Sequence, residues 1–564
     1  MNSSASHPIL SCAEAKAWEH HRLGGDPERA WAAMQRAGAA VARGMIEDFR
    51  EIGGLPPRAR LLVLAGKGHN GGDALLAAKT ILELHPEARA AVLLCFDESQ
   101  LRPLAQRAYL TLGQAAPGRV ETVPWLALKD RDERYDLCVD GVFGFQFRPP
   151  MDAATAEVLM WANTHASIRV RAAVDLPSGL AEEGASTVFQ ADFTYATGIV
   201  KKPVVDPANL GHVGRPRYLD LGFFEAAAHP EGSPYQVGRG VLAEPSSVNR
   251  VLLASILQPL AQLRPALSDK RTYGHLFVVG GSRSYPGAVL MTVQAALRSG
   301  VGLLTAFVPA SLAPEYAARF PEAMWVGCPE TKAGGLAGGT VALLRERLAR
   351  ATALAVGPGL GAEAGTLAAV QEIVAAAGVP VLLDADALRP EVLAAARGKR
   401  LVCTPHAGEF QRIADGVRLE DYCASNDAVI VLKGPMTRIA CGRAGLRPAP
   451  EGGSKTRPTE TNVYFSFFGG PVLARGGSGD VLAGLIGGLL AQHGGPSSCE
   501  AVTAGDQGGL AGARPSTEAT LLAACRGVVW HGMAADLLAR DRGQVAVQTT
   551  QLFDYLQSAL KASL

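Results

Sequence analysis

The feature that most constrains this chain is a recurring unit: a short apolar run of the buried-strand type, a stop bearing glycine or a carboxylate, and then a helical stretch. Arg60-Leu61-Leu62-Val63-Leu64-Ala65 stops at Gly66-Lys67-Gly68-His69-Asn70-Gly71-Gly72-Asp73, ahead of a helix expected over 74–84. Further strands are expected at 91–95, 137–139 and 170–174, and two of them end in carboxylates, Asp140 and Asp175. This alternation predicts a mainly parallel sheet with helices on both faces, in which ligands collect at the carboxyl ends of the strands. Asn70, Asp140, Asp175 and Ser178 should therefore converge, and their hard oxygen donors suit a hydrated cation or a sugar phosphate. One strand-end Asp is more often a helix cap, but four such residues at successive ends are harder to assign to capping.

The rhythm breaks over 225–265, where an Ala-, Gly- and Pro-rich segment and a helix-like stretch over 248–263 place a domain boundary. It then resumes. Strands expected at 275–279, 353–356, 379–383, 401–403 and 429–432 end in Gly280-Gly281-Ser282, Gly357-Pro358-Gly359-Leu360-Gly361, Asp384-Ala385-Asp386, Thr404-Pro405-His406-Ala407-Gly408-Glu409 and Lys433-Gly434. The densest stop is Arg475-Gly476-Gly477-Ser478-Gly479-Asp480, in front of an apolar run over 481–490 that reads as a buried helix. Glycines at a helix N-terminus leave backbone N–H groups free and admit a phosphate closely, so this is an anion site. Asp480 beside it suits a hydroxyl that must lose its proton while attacking a phosphate. No Lys-Ser/Thr pair follows, so it is not a Walker loop. Lys433 offers a point charge for polyphosphate, while His406 and Glu409 offer a polar shelf. Taken singly, these residues also fit a glycine turn, a solvated lysine, a structural histidine and a helix-start carboxylate.

A chain of 564 residues is long enough for two to four domains, and its 48% hydrophobic and 19% charged content is globular. Lys+Arg of 54 against Asp+Glu of 53 gives a formal charge of +1, so no nucleic-acid partner is expected. The nine cysteines contain no C-x-x-C pair and are widely scattered, which argues against a disulfide framework or zinc site and fits a reducing cytoplasm. No signal peptide is read at the N-terminus, and the apolar run near 481–490 falls short of the ~20 residues that span a bilayer, so no membrane partner is expected. Residues 14–50 read as a covering helix, 521–538 and 549–560 as closing helices, and 442–457 and 493–516 as surface insertions.

These motifs, in this order, resemble the bifunctional NAD(P)H-hydrate repair enzymes. In the second half the resemblance rests on Val278-Val279-Gly280-Gly281-Ser282, Pro286-Gly287-Ala288, Gly357-Pro358-Gly359-Leu360-Gly361, Leu383-Asp384-Ala385-Asp386, Thr404-Pro405-His406, Val431-Leu432-Lys433-Gly434 and Gly476-Gly477-Ser478-Gly479-Asp480. In the first half it rests on Asn70-Gly71-Gly72-Asp73, Val139-Asp140 with Phe143-Gly144, and Asp175-Leu176-Pro177-Ser178-Gly179. The resemblance implies two three-layer αβα domains: a Rossmann-like epimerase over 1–228 and a ribokinase-like ADP/ATP-dependent dehydratase over 263–564, with a lead-in over 229–262. It implies that Asp480 acts at the substrate hydroxyl during phosphoryl transfer, that 476–479 neutralise the moving phosphate, and that Lys433, Gly434, Pro435, Met436 and Thr437 hold ADP or ATP with Mg2+. Ala288, Gly359 and His406 would hold the hydrated NADH or NADPH. In the first half it implies a K+ site at Asn70, Asp140 and Ser178. Substrate would lie on His69, Asn70, Gly71, Gly72, Asp73, Gly144 and Asp175, with Asp175 giving acid–base help. Partners would be small molecules only, in a cytoplasmic homo-oligomer. His69, Ala74, Gln146-Phe147-Arg148 and Phe468-Gly469-Gly470-Pro471 depart from the family pattern. Two other readings share these residues: a ribokinase-type kinase that leaves the phosphate on its product, and a dehydratase whose N-terminal half is a binding module only.

Overall fold

The computed structural model describes residues 5–184, 187–225, 249–442, 461–493 and 517–564. The chain divides into two compact units, one of Met1–Ser6, Leu252–Leu538 and Val545–Leu564, the other of His7–Val251 and Ala539–Gln544. Most of the two expected insertions, and most of the lead-in segment, lie outside the described residues.

In the unit formed by His7–Val251, seven parallel strands run in the order Val120–Thr122, Arg89–Leu94, Arg60–Ala65, Tyr135–Gly141, Ile168–Val174, Phe193–Thr197, Arg215–Leu219. Leu61 to Ala65 are all fully buried, as both faces of a parallel strand require. The chain leaves Arg60–Ala65 outward to one neighbour and returns on its other side to Tyr135–Gly141, which opens a switch-point crevice between the loops after 65 and 141. The covering helix expected over 14–50 is two helices, Cys12–Leu23 and Pro27–Phe49, because Gly24 and Gly25 take positive φ and Asp26 caps the second helix. The helix expected from residue 74 starts at His69, so Asn70 to Asp73 form its first turn rather than a loop. The strands Phe193–Thr197 and Arg215–Leu219 were not expected.

In the other unit, strands run in the order Met324–Cys328, Leu303–Pro309, His275–Val279, Ala353–Val356, Val381–Leu383, Leu401–Cys403, Ala428–Leu432, all parallel, followed by the antiparallel pair Thr437–Cys441 and Asn462–Ser466. The α/β class with large parallel sheets is as expected. The helix-like stretch read over 248–263 is instead a strand, Asn249–Leu252, and a 3-10 turn, Ala254–Ala261, interrupted by Pro259. The helix Ser478–His493 packs on the helix Pro286–Arg298 at a separation that only glycine permits: a Cβ at Gly484 would lie 2.2 Å from the Thr292 carbonyl oxygen. The closing helix, Thr517–Arg542, is longer than expected and apolar enough to cross a bilayer by length and composition, yet 83% of its apolar window is buried inside the protein. That burial is the property of a core helix.

Candidate active sites

The site in the Leu252–Leu538 unit is built on the helix Ser478–His493. Gly477 precedes it with φ 88°, where a Cβ would strike the Met291 side chain at 2.4 Å, so the turn into the helix depends on glycine. Three hydroxyls brace the turn through backbone carbonyls: Ser478 Oγ donates to the Leu473 carbonyl at 2.7 Å, Thr549 Oγ1 to the Gly476 carbonyl at 2.8 Å, and Thr292 Oγ1 to the Asp480 carbonyl at 3.1 Å. Thr292 Oγ1 also reaches the Ala288 carbonyl at 3.2 Å, which ties that residue to the same turn.

Lys433 is the cation of the site. Its backbone N–H donates to Pro405 at 2.8 Å, and its Nζ donates to Asp384 Oδ1 at 3.0 Å and lies 3.9 Å from Glu409 Oε2. A Cβ at Gly479 would lie only 3.2 Å from that ammonium, so the lysine stands at the helix N-terminus. Burial weakens the ammonium, but Asp384, Glu409 and Asp480 outweigh it and hold the pKa above the ordinary lysine value. Asp480, half-buried on the first turn, is pushed up to about 7, first by burial and then by Asp384, with Lys433 opposing. A carboxyl poised there can accept a proton at neutral pH.

The neighbouring strand-end loops complete the wall. Asp384 also accepts from Thr404 Oγ1 at 2.6 Å, and Asp386 accepts from the Gly361 N–H at 2.9 Å. Gly359, with φ 67°, sits against Ala288, a Cβ there falling 3.1 Å from the Ala288 Cβ, and its carbonyl accepts from Ser282 Oγ at 2.8 Å. His406 caps the helix Ala407–Ala414: Nδ1 accepts from Gly408 and Glu409 N–H groups at 3.0 and 3.3 Å, while Glu409 Oε2 accepts from the His406 N–H at 2.8 Å. The cap fixes the ring proton on Nε2, and the ring itself is exposed. Gly434, Pro435 and Met436 form the turn between the strands Ala428–Leu432 and Thr437–Cys441, with Gly434 and Pro435 exposed and Met436 buried. Asp384 is the member of this site that no sequence reading singled out. Its place in an Asp-x-Asp strand stop was visible, but its partner was not.

In the other unit, a cavity of about 470 Å³ opens at the switch point, lined by His69, Asn70, Asp73, Gly144 and Asp175 among others. Beside it, Asp140 is fully buried; its oxygens accept from Ser178 Oγ at 2.6 Å, the Ser178 N–H at 2.7 Å and the Val142 N–H at 3.2 Å. Asn70 Nδ2 donates to the Phe143 carbonyl at 2.8 Å, and the Phe143 N–H donates to Ser178 Oγ at 2.8 Å. Asn70, Asp140 and Ser178 are thus linked into one cluster, while Gly71 and Gly72 are buried in the same helix turn. Burial pushes Asp140 up to about 6 against the pull of these donors. Among the described residues no basic side chain pairs with it.

Asp175 takes a left-handed φ of 64°, uncommon without glycine, and turns its carboxylate onto a buried lysine. Lys201 Nζ donates to Asp175 Oδ1 at 2.5 Å and lies 3.9 Å from Glu19 Oε1. Thr197 Oγ1 adds a longer bond to Asp175 at 3.4 Å. Lys201 and Glu19 were missed: a lysine after the apolar Ile199-Val200 and a glutamate on an amphipathic helix carry no sequence mark of burial.

Residues 276–558 match the family profile described as NAD(P)H-hydrate dehydratase, and residues 31–203 match that of YjeF-related protein N-terminus. The chain is 37% identical over 482 residues to the bifunctional NAD(P)H-hydrate repair enzyme Nnr of Gloeobacter violaceus, covering 82% of this chain and 84% of that protein. It is 31% identical over 555 residues to the enzyme of the same name from Moorella thermoacetica, covering 94% and 92%. Among solved structures it is similar to the ADP/ATP-dependent NAD(P)H-hydrate dehydratase of Bacillus subtilis co-crystallized with ATP/Mg2+, at 25% identity and a TM-score of 0.40, over 54% of this chain and 94% of that one. The chain belongs to the bifunctional NAD(P)H-hydrate repair enzyme family.

Proposed function

We propose that this chain repairs hydrated NADH and NADPH: its N-terminal unit interconverts the R and S hydrates, and its C-terminal unit dehydrates the S hydrate with ADP or ATP. The observation that carries the reading is Asp480 on the first turn of an anion-binding helix, poised near neutrality, with the Lys433 ammonium at the same turn. A hydrated nicotinamide bears a hydroxyl on the carbon next to the ring nitrogen, and hydroxide is a poor leaving group. Asp480 takes the hydroxyl proton as that oxygen bonds to the terminal phosphorus of the nucleotide and the bridging P–O bond breaks. Lys433 and the backbone N–H groups of 476–479 face the charge that develops on the phosphoryl oxygens. The nitrogen lone pair then expels phosphate, and loss of a proton from the adjacent carbon restores the dihydropyridine. Ala288, Gly359 and His406 hold the hydrated ring, and 433–437 hold the nucleotide.

Mg2+ enters with the nucleotide. Among the described residues no group of three or more His, Cys, Asp or Glu forms a metal cage, which suits an ion carried mainly by phosphate oxygens. In the N-terminal unit, a buried Asp140 carboxylate with no basic partner among the described residues, beside the oxygens of Asn70, Ser178 and Phe143, fits K+. When bound, K+ supplies positive charge that neutralises Asp140 and draws substrate phosphate. His69, Asn70, Gly71, Gly72, Asp73 and Gly144 bind the hydrate there, and Asp175 exchanges protons with it. The eight cysteines among the described residues are free thiols, which supports a cytoplasmic setting, and we read the assembly as a homo-oligomer.

The test is to incubate the pure protein with mixed hydrates of NADH and either nucleotide. Nucleotide-dependent return of dihydronicotinamide absorbance is expected; no return with any nucleotide refutes the dehydratase reading. Consumption of the whole mixture, faster than spontaneous interconversion allows, is expected from the epimerase.

A further inference from the structure

Of the four carboxyls that line the epimerase cavity, Asp73 and Asp175 serve the proposed reaction and Asp152 caps the helix Ala153–Thr164, which leaves Glu19 without a role. Glu19 lies on the helix Cys12–Leu23, ahead of the segment matched by either family profile. It lines the cavity, and its Oε1 is 3.9 Å from the Lys201 ammonium that also serves Asp175. The Asp175 and Lys201 side chains are 6% and 1% exposed, whereas that of Glu19 is 23% exposed, so Glu19 is the member of the trio that meets the open space.

Charge counting gives the cluster a proton. Glu19, Asp73 and Asp175 lie nearest the ammonium of Lys201, with Lys67, His69, Arg102, Arg148 and Asp152 elsewhere on the cavity wall and the Cys12 thiol on the same helix as Glu19. Three carboxylates crowded around one ammonium, one of them buried and two half-buried, do not all ionise readily near neutrality. Asp175 is joined to Lys201 by the shorter contact. Burial first, then Asp175 and Glu19, raises the Asp73 carboxyl well above its ordinary value, with Lys201 opposing. Glu19 is raised to about 7, by burial and by Asp175, against Lys201. It can therefore both give and take a proton under ordinary conditions.

We propose, resting on the epimerase reading above, that Glu19 is a proton-transferring residue of the epimerisation, donating to the hydroxyl as it leaves the hydrated carbon. The Glu19 O–H bond and the ring C–O bond break, water departs, and the nitrogen lone pair closes a C=N bond. Glu19 is left as a carboxylate beside Lys201. Water then adds to the opposite face of the ring, the nitrogen recovers its pair, and the proton released goes to Asp175 and back to Glu19. No proton or electron is gained or lost overall.

The test uses full-length E19Q and E19D with the two hydrate isomers resolved by chromatography. In E19Q, S-hydrate consumption stays at the wild-type rate, and kcat for R-to-S conversion falls roughly a hundredfold with little change in KM. E19D recovers part of the loss. Wild-type epimerisation declines above about pH 7, as Glu19 loses its proton, and that decline is absent from the residual E19Q rate. E19Q that epimerises at the wild-type rate, or that is slowed with the wild-type pH profile intact, overturns the proposal. A wild-type protein that does not exceed the spontaneous rate would instead sink the epimerase reading, and the proposal with it.

Discussion

Lys433 Nζ donates to Asp384 Oδ1 at 3.0 Å, joining the ends of two parallel strands at the turn that carries Asp480. The pair sets the charge of the site, because Asp384 is the first charged group that raises both Lys433 and Asp480. Replacing Lys433 by Met leaves a fully buried carboxylate unpaired, with an expected loss on the order of 3 kcal/mol in the stability of that unit. Nucleotide affinity should fall at least tenfold. Calorimetric titration with ADP and a thermal melt check the two effects together.

Asp480→Asn separates chemistry from binding. Turnover should fall by roughly two to four orders of magnitude while nucleotide affinity changes little. Asp480 binds a proton more tightly folded than unfolded, so its contribution to stability is present at low pH and is lost as pH rises towards about 7. The variant removes that penalty and should melt a few degrees higher than wild type at pH 8, with the difference vanishing at low pH. Unchanged turnover would refute the assigned base.

The pH profile of the wild-type dehydratase should carry the same signature. A base must be unprotonated to act, so kcat/KM rises with pH through about 7 and levels off above it. A rate that falls over that interval contradicts the role given to Asp480.

Gly484→Val tests whether helix packing positions the turn. Its side chain would enter the Thr292 carbonyl, with a cost of roughly 1–3 kcal/mol or more. Thr292 also donates to the Asp480 backbone carbonyl, so a shift there moves the first helical turn and turnover should drop along with stability. Glycine elsewhere on the same helix, at Gly487, has 3.4 Å to its nearest neighbours, and Gly487→Ala should be much milder.

In the N-terminal unit, epimerisation should depend on K+ and be lost in Asp140→Asn, with S-hydrate dehydration unchanged. Because Asp140 titrates near 6, the K+ requirement should rise as pH falls below that value. A titration of R-hydrate conversion against K+ at two pH values reads this directly.

The strand stops were legible because parallel strands buried on both faces must be apolar throughout, so polar residues mark their ends; Asp140, Asp175 and Lys433 stood out for that reason. Boundaries were less legible. The helix starting at His69 was read as a loop because its first turn is nearly all glycine and polar residues, which propensity places outside helices. Lys201 and Glu19 could not be found in the sequence, since their importance comes from a cavity that only the crossing of distant segments creates. The reciprocal capping of His406 and Glu409 is likewise a fact of geometry: the spacing i, i+3 allowed it, but a histidine cap is uncommon.

Phosphorylation of the substrate hydroxyl, with Asp480 as its base, is a step towards elimination, so the restored cofactor carries no phosphate from this reaction. Phosphorus NMR of the full-length protein turning over hydrated NADH with ADP or ATP measures this. One inorganic phosphate should appear for each dihydronicotinamide restored, with no phosphorylated nicotinamide accumulating. A stable phosphorylated product, formed without return of dihydronicotinamide absorbance, would contradict the account and identify a kinase.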